Sequence, residues 1–366
     1  MGEKMNGSSN ISVGQRQAFE KWVDSEGLDL IGGIWVEDLR TTPVKPWLRK
    51  GGLGAYIKLL GAGWENAAYI CEIPPGKSLK PQHHLFEENI YILKGEGRTK
   101  VWNDAGAEQS VQWREGSLFA IPLNAWHQHV NTSHEGATRY LAVTLAPSAI
   151  NIYRDLDFIF NLPFDFKERF NGEEGYFNGN ERVYLDPNGF KGEILETNFV
   201  YDLPNHPLGK RDERGAGGGN TRFEMAGNVM DCHVSEFPVG TYKKCHRHGP
   251  SAHVLILRGK GYSLMWPEGS AIQRFDWHEG SLLVPPDQWW HQHFNTGNTP
   301  VRYLALHGMR SHKHKIGIKL SDAVDVKKGG DQIEYEDEPP EIREMFEKEL
   351  VKSGITCQMP VPNRRR

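Results

Sequence analysis

Cysteine is scarce in this chain. Cys71, Cys232, Cys245 and Cys357 lie far apart, offer no CxxC pair, and are read as reduced thiols in a cytoplasm. No apolar run reaches the roughly eighteen residues of a membrane-spanning helix, so no membrane span is expected. Positive charge is not in excess: 43 Lys and Arg stand against 47 Asp and Glu, a net charge of −4. That balance, with no helix-turn-helix and no basic stripe, argues against a nucleic-acid binder. The polar start, Met1–Gly14, has no apolar h-region, so a cytoplasmic location is expected. With 38% hydrophobic and 25% charged residues, a packed core is feasible over the 366 positions. What the chain has in quantity is histidine, 16 residues, and tryptophan, 11, and several of them cluster.

The clusters recur. Gly76 and Gly240 are 164 positions apart, and the same offset links His84 to His248, Gly95 to Gly259, Gly97 to Gly261 and Trp102 to Trp266. It continues through Trp113/Trp277, Gly116/Gly280, Pro122/Pro286, Trp126/Trp290, His127/His291 and Asn131/Asn295. One deletion later, Arg139–Ala142 matches Arg302–Ala305. The chain therefore carries two copies of one unit.

Within each copy the runs are short, apolar and β-branched, and Gly or Pro punctuates them. Asn89–Leu93 and Val254–Leu257 each precede a Gly-x-Gly turn, and Ser117–Pro122 and Ser281–Pro285 are bounded by Gly and Pro. This predicts an all-β sandwich or barrel in each copy. The boundaries read as an N-terminal arm with a short helix (1–53), a first barrel (54–146), a connector (147–221), a second barrel (222–310) and a C-terminal tail with a helix (311–366). Gln15–Ser25 and Pro339–Ser353 are the candidate helices, read as caps on barrel edges or a subunit interface. Asp155–Phe170 is expected to be helical in pieces, and Asp212–Asn220 a flexible loop.

Both copies resemble cupins, whose signatures are G-x5-H-x-H-x3-E-x6-G and G-x5-P-x-G-x2-H-x3-N. Two copies resemble a bicupin, which implies two tandem double-stranded β-helix (jelly-roll) barrels. The second copy reads Gly240, His246-Arg247-His248, Ala252, Gly259, then Gly280, Pro286, Gln288, His291 and Asn295. Residues i and i+2 of a strand share a face, so the H-x-H pair aims two imidazoles into the barrel. The resemblance carries His246, His248 and His291 over as metal ligands. The signature Glu falls on Ala252, which is similar to the three-histidine site of gentisate-type dioxygenases. In that branch the metal-bearing cupin is the first, whereas the complete triad here lies in the second; the match is to a site type. His253, one position along, has the parity to face away.

The first copy reads Gly76, Gln82-His83-His84, Glu88, Gly95, then Gly116, Pro122, Asn124, His127 and Asn131. Gln82 replaces one histidine, and Gln82, His84, Glu88 and His127 form a possible second metal site. The alternative is a degenerate copy kept for packing and dimerisation. His83 has the wrong parity for a ligand, His129 and His293 lie one pleat beyond the ligands, and Cys245 should point outward. Trp266, Trp277, Trp289, Trp290 and Phe294 are expected to wall an apolar pocket, with Arg247 or Arg258 as candidate carboxylate anchors.

The main expectation is a non-haem Fe(II) dioxygenase acting with dioxygen on a small chelating substrate, a hydroxylated aromatic acid or a dicarbonyl. The alternatives are a lyase, decarboxylase or isomerase using Mn, Ni or Zn, and a bicupin that binds a small molecule without turnover. A homo-oligomer is expected in each case.

Overall fold

Each repeat folds into a large and a small β-sheet that face one another. The structure is a computed structural model and describes residues 17–185, 193–211, 213–215, 217–249, 252–317 and 323–360. The polar start lies outside this range. In the first repeat the large sheet runs Leu30–Ile31, Gly52–Ile57, Ala67–Ile73, Thr138–Thr144, Glu88–Lys94, Leu118–Ile121 and Phe199–Val200, with Lys45–Trp47 beside Gly52–Ile57. Its small sheet is Trp126–Asn131, Glu96–Trp102 and Glu108–Arg114. The second repeat reproduces this order with Met230–Phe237, Val301–Met309, His253–Arg258 and Leu282–Leu283 opposite Gln273–His278, Lys260–Trp266 and Trp290–Asn295. The expectation of two tandem all-β jelly-roll barrels with short flanking helices is met.

Burial explains the sequence texture of the two sheets. Glu96–Trp102 and Trp126–Asn131 alternate buried with more exposed positions, the mark of a sheet wet on one face. Thr138–Thr144 is buried throughout, as a strand covered on both faces must be. The cover comes partly from exchanged segments. Trp35–Val36, from the arm before the first repeat, pairs with Leu282–Leu283 of the second. Phe199–Val200, from the connector, pairs with Leu118–Ile121 of the first. Edge strands that would invite foreign pairing are thus occupied from within the chain. The repeated arginines clamp these segments. Arg139 Nη1 donates to the carbonyls of Leu39 (3.0 Å) and Thr42 (2.9 Å), and Arg302 Nη1 to those of Pro204 (2.8 Å) and His206 (2.9 Å).

The flanking helices cap barrel surfaces. Ala18–Ser25 buries Phe19, Trp22 and Val23. Pro340–Lys352 buries Ile342, Phe346 and Leu350 against Tyr262 and Phe294 of the second small sheet and Tyr242 beside it. The connector holds two helices, Ala146–Tyr153 and Leu156–Asn161. The first of these was not anticipated from the sequence, because Pro147 within it reads as a breaker although it sits at the tolerated first turn. No described helix is long and apolar enough to cross a membrane.

The Gly-x-Gly turns have a steric cause. Gly95 and Gly259 lie at φ +86° and +93°, the left-handed region. At Gly261 an added Cβ would stand 1.9 Å from the Phe294 carbonyl oxygen and 2.7 Å from the Trp277 ring; at Gly97 it would stand 2.2 Å from both the Val130 oxygen and the Trp113 ring. Gly261→Ala is therefore expected to lower stability by about 3 kcal/mol, since a strand and an indole must both move. Denaturant unfolding checks this; a loss below the scatter of surface substitutions would refute the close approach.

Candidate metal centres

In the second barrel the short strand Cys245–His246 pairs with Trp290–Asn295 so that His246 stands opposite His291. Two residues on, His248 returns to the same face. The ring centroids are 4.3 Å apart for His246 and His291, 4.9 Å for His248 and His291, and 5.6 Å for His246 and His248. One nitrogen from each lies within 4.8 Å of the others. The tautomers are set by the backbone: His246 Nδ1 bonds the Lys244 carbonyl at 2.9 Å and His291 Nδ1 the Trp289 carbonyl at 3.0 Å. With Nδ1 donating, Nε2 carries the lone pair a metal needs. Burial, reinforced by Arg214, His291 and His248, holds the His246 pKa well below that of an ordinary imidazole, and burial brings His291 down to about 4. Both rings are thus neutral near pH 7, the form that ligates. The donor set fits a divalent cation.

The first barrel repeats the frame with different contents. His84, Glu88 and His127 also bring one ligand atom each within 4.8 Å of the others. His84 Nδ1 bonds the Phe86 carbonyl (2.8 Å) and His127 Nδ1 the Ala125 carbonyl (3.1 Å). Glu88 Oε1 lies 3.7 Å from His84 Nε2 and 4.0 Å from His127 Nε2, and both Glu88 Oε1 and His84 Nε2 are buried without a hydrogen-bond partner. Orphaned donor atoms converging on one point fit a cation here as well. Gln82 stands opposite His127, as His246 does opposite His291. Its amide nitrogen meets His127 Nε2 at 3.1 Å, and Arg49 donates to its oxygen at 3.4 Å. The oxygen is turned to Arg49, so the atoms that converge are those of His84, Glu88 and His127, the last already accepting from the Gln82 amide.

The two interiors differ more than the ligands do. Ladder register places Arg222 where the first barrel has Tyr56, His233 where it has Tyr69, Tyr303 for Tyr140 and His307 for Thr144. In the first barrel Trp47, Tyr56, Tyr69 and Tyr140 fill the interior in mostly edge-on contacts, and His84, Glu88 and His127 are at most 3% exposed. In the second, His233 for Tyr69 and Ala252 for Glu88 reduce side-chain volume, and a cavity of about 120 Å³ lies beside the three histidines. Its wall is cationic: Arg211, Arg214, Arg222, Lys243 and Arg310 line it. Burial, aided by Arg211 and Arg214, pushes Lys243 down to about 7.

The aromatic wall expected from the sequence is not there. None of Trp266, Trp277, Trp289, Trp290 and Phe294 lines this cavity. Trp277 donates to Ser263 Oγ (2.9 Å), which in turn holds His293 Nδ1 (2.7 Å). The first barrel repeats this with Trp113, Thr99 and His129. Trp290 lies beneath the Arg247 guanidinium at 4.4 Å, and Phe294 stacks between Tyr242 and Tyr262 under the C-terminal helix. The anchors differ too. Arg258 is held by Glu236 away from the cavity, while Arg247 reaches its rim and is paired with Glu268. His253 is fully buried but outside the cavity lining, and His83 turns to Asn124 (3.0 Å). The connector loop read as flexible, Asp212–Asn220, supplies Arg214, and Arg211 directly precedes it. The signal that could have found His233 was the repeat offset, which sets it against Tyr69 in an inward-facing register.

A cupin domain model matches residues 69–144. The first repeat is a cupin domain. The internal offset makes the second another copy, and the chain is a bicupin. Among solved structures, two of those similar to this bicupin are of Bacillus subtilis oxalate decarboxylase. One is a tryptophan variant, at 16% identity, TM-score 0.49 and coverage of 76% of this chain and 78% of that one. The other comes from work on the Mn(II) centres of that enzyme, at 16% identity, TM-score 0.49 and coverage of 77% and 78%. No curated protein matches.

Proposed function

We propose that the second cupin of this chain is a metal-dependent lyase centre that cleaves a carbon–carbon bond of a small dicarboxylate or 2-oxo acid, with decarboxylation as the simplest case. The observation that carries this reading is the cationic wall around the imidazoles of His246, His248 and His291. His246, His248 and His291 would hold a divalent ion such as Mn(II) or Fe(II). When bound, such an ion supplies Lewis-acid polarisation of a chelating substrate oxygen. The chain's own residues do the rest. Arg211, Arg214 and Lys243 attract carboxylates and hold them where few waters compete. The cavity of about 120 Å³ suits a small substrate. Negative charge left on carbon as a carboxyl group departs is stabilised by the same guanidinium groups. With none of the expected tryptophans in the wall, and Tyr303 there instead, a ring-bearing substrate has less to recognise it than the sequence suggested.

Oxygen-dependent cleavage at Fe(II) is the second reading. It is favoured by the neutral donor set, which leaves room for a chelating anion and dioxygen. Gas measurements separate the two. Protein loaded with Mn(II) or Fe(II) and given a panel of small dicarboxylates and 2-oxo acids is expected to release CO2 with no oxygen uptake. Oxygen consumed in step with product would support the second reading instead. Binding without either gas change would make this a small-molecule-binding bicupin.

A further inference from the structure

Glu65 belongs to the first repeat, yet it lines the cavity of the second barrel. The short 3-10 helix Leu60–Ala62 carries it across. Gly61 lies so close to the second barrel that an added Cβ would stand 2.2 Å from the Pro285 oxygen and 2.6 Å from that of Val284. Asn66 clasps the far wall, accepting from the Gly308 N–H at 3.0 Å while its amide donates to the Ala62 carbonyl at 3.2 Å. Glu65 Oε1 accepts from the Met309 N–H at 3.2 Å. Oε2 has no hydrogen-bond partner, although the residue is only 8% exposed. That oxygen faces the wall residue Gly308, whose hypothetical Cβ would stand 3.0 Å from it. An unpaired carboxyl oxygen in a cavity wall is costly unless something in the cavity pairs with it.

We propose that Glu65 is the catalytic proton donor of the second cupin, reaching in from the first and supplying the carboxyl group that Ala252 lacks. The inference rests on the decarboxylation reading above. In the step, the bond between the substrate carbon and its carboxylate breaks and CO2 leaves. The electron pair remains on that carbon, which takes the proton from Glu65. The resulting Glu65 carboxylate is reprotonated from solvent, and no oxidant or reductant is needed. The surroundings suit a donor. Burial raises the Glu65 pKa against the Met309 N–H and Lys58, which lower it. Lys58 follows the strand Gly52–Ile57, Arg222 lies on Gly219–Glu224, His233 on Met230–Phe237, His307 on Val301–Met309, and Arg310 directly after that strand. Lys58 acts on Glu65 directly, and the other four line the same cavity.

The test is Glu65→Gln, which keeps an acceptor for Met309 and so should fold. Turnover at saturating substrate is expected to fall on the order of a hundredfold or more. Metal content and substrate affinity should stay within about twofold of wild type. The wild-type rate should decline as pH rises through the Glu65 pKa, and that limb should vanish in the variant. Infrared titration of metal-free protein should show a protonated carboxyl band that Glu65→Gln removes. Retained turnover would overturn the donor role and leave the lyase reading standing. So would a lowered melting temperature with an unchanged pH profile, the result of a merely structural clasp. A wild type that binds metal but releases no CO2 would overturn the lyase reading and the donor role together.

Discussion

Protein carrying His291→Ala is expected to fold and to lose divalent-metal affinity at the second barrel by about a hundredfold or more. His291 is the ligand that both other rings approach most closely; without it, His246 and His248 remain with centroids 5.6 Å apart. Two neutral imidazoles are a weak set, since they bring no charge and define no face of a coordination sphere. The fold should survive because His291 borders an existing cavity, so its removal enlarges a space already present. Titration calorimetry in a His84→Ala background isolates this centre from the first. Thermal unfolding supplies a second readout. Metal at a hundred times its dissociation constant should stabilise the parent by about 2.7 kcal/mol, and this increment should vanish in the variant. Undiminished metal uptake by His291→Ala would remove the basis for placing a metal in this barrel.

The sequence and the structure agree where a constraint is local and repeated. The Gly-x-Gly turns were legible because Gly95 and Gly259 need a left-handed backbone and Gly97 and Gly261 lie against an indole. The ligand strands were legible because strand parity sends His246 and His248 to one face. Even the missing signature glycine makes sense afterwards, since Asn124 and Gln288 take the left-handed conformation at φ +57° and +59° that glycine would accept freely. What the sequence concealed is non-local. Arg211 and Arg214 come from a glycine-rich loop, and Glu65 comes from the other repeat; neither has a spacing that announces its destination. The tryptophans misled for the opposite reason. Their number near the ligands suggested a pocket wall, but Trp277 is spent on the hydrogen bond that fixes Ser263 and His293. The difference between the barrels lay in plain view, as Tyr56 and Tyr69 against Arg222 and His233. It acquires meaning only once the ladders show that these positions face inward.

Glu88→Gln is the complementary experiment on the first barrel and is expected to destabilise the metal-free protein by roughly 3 kcal/mol. Lys50, only 3% exposed, donates to the Tyr69 hydroxyl at 2.9 Å, and Tyr69 donates to Glu88 Oε2 at 2.8 Å. Burial works to raise the Glu88 pKa, yet His84, Lys50 and His127 outweigh it and hold the carboxyl well below the usual range. Burial in turn lowers Lys50. Removing the carboxylate charge while leaving the ammonium in place strands a cation in the core, which costs more than losing both. Lys50→Met together with Glu88→Gln should therefore recover most of the loss, and the double-mutant cycle measures the coupling. The pH dependence has a definite sign. A carboxyl depressed in the fold contributes stability above its unfolded pKa, and the contribution is lost as pH falls toward the folded value. The gap between parent and Glu88→Gln should accordingly narrow on acidification, measured by urea unfolding with a chelator present. Metal uptake at His246, His248 and His291 should be untouched, because the two centres share no residue. A Glu88→Gln protein as stable as its parent at neutral pH would mean that this buried chain of charge does not hold the first barrel together.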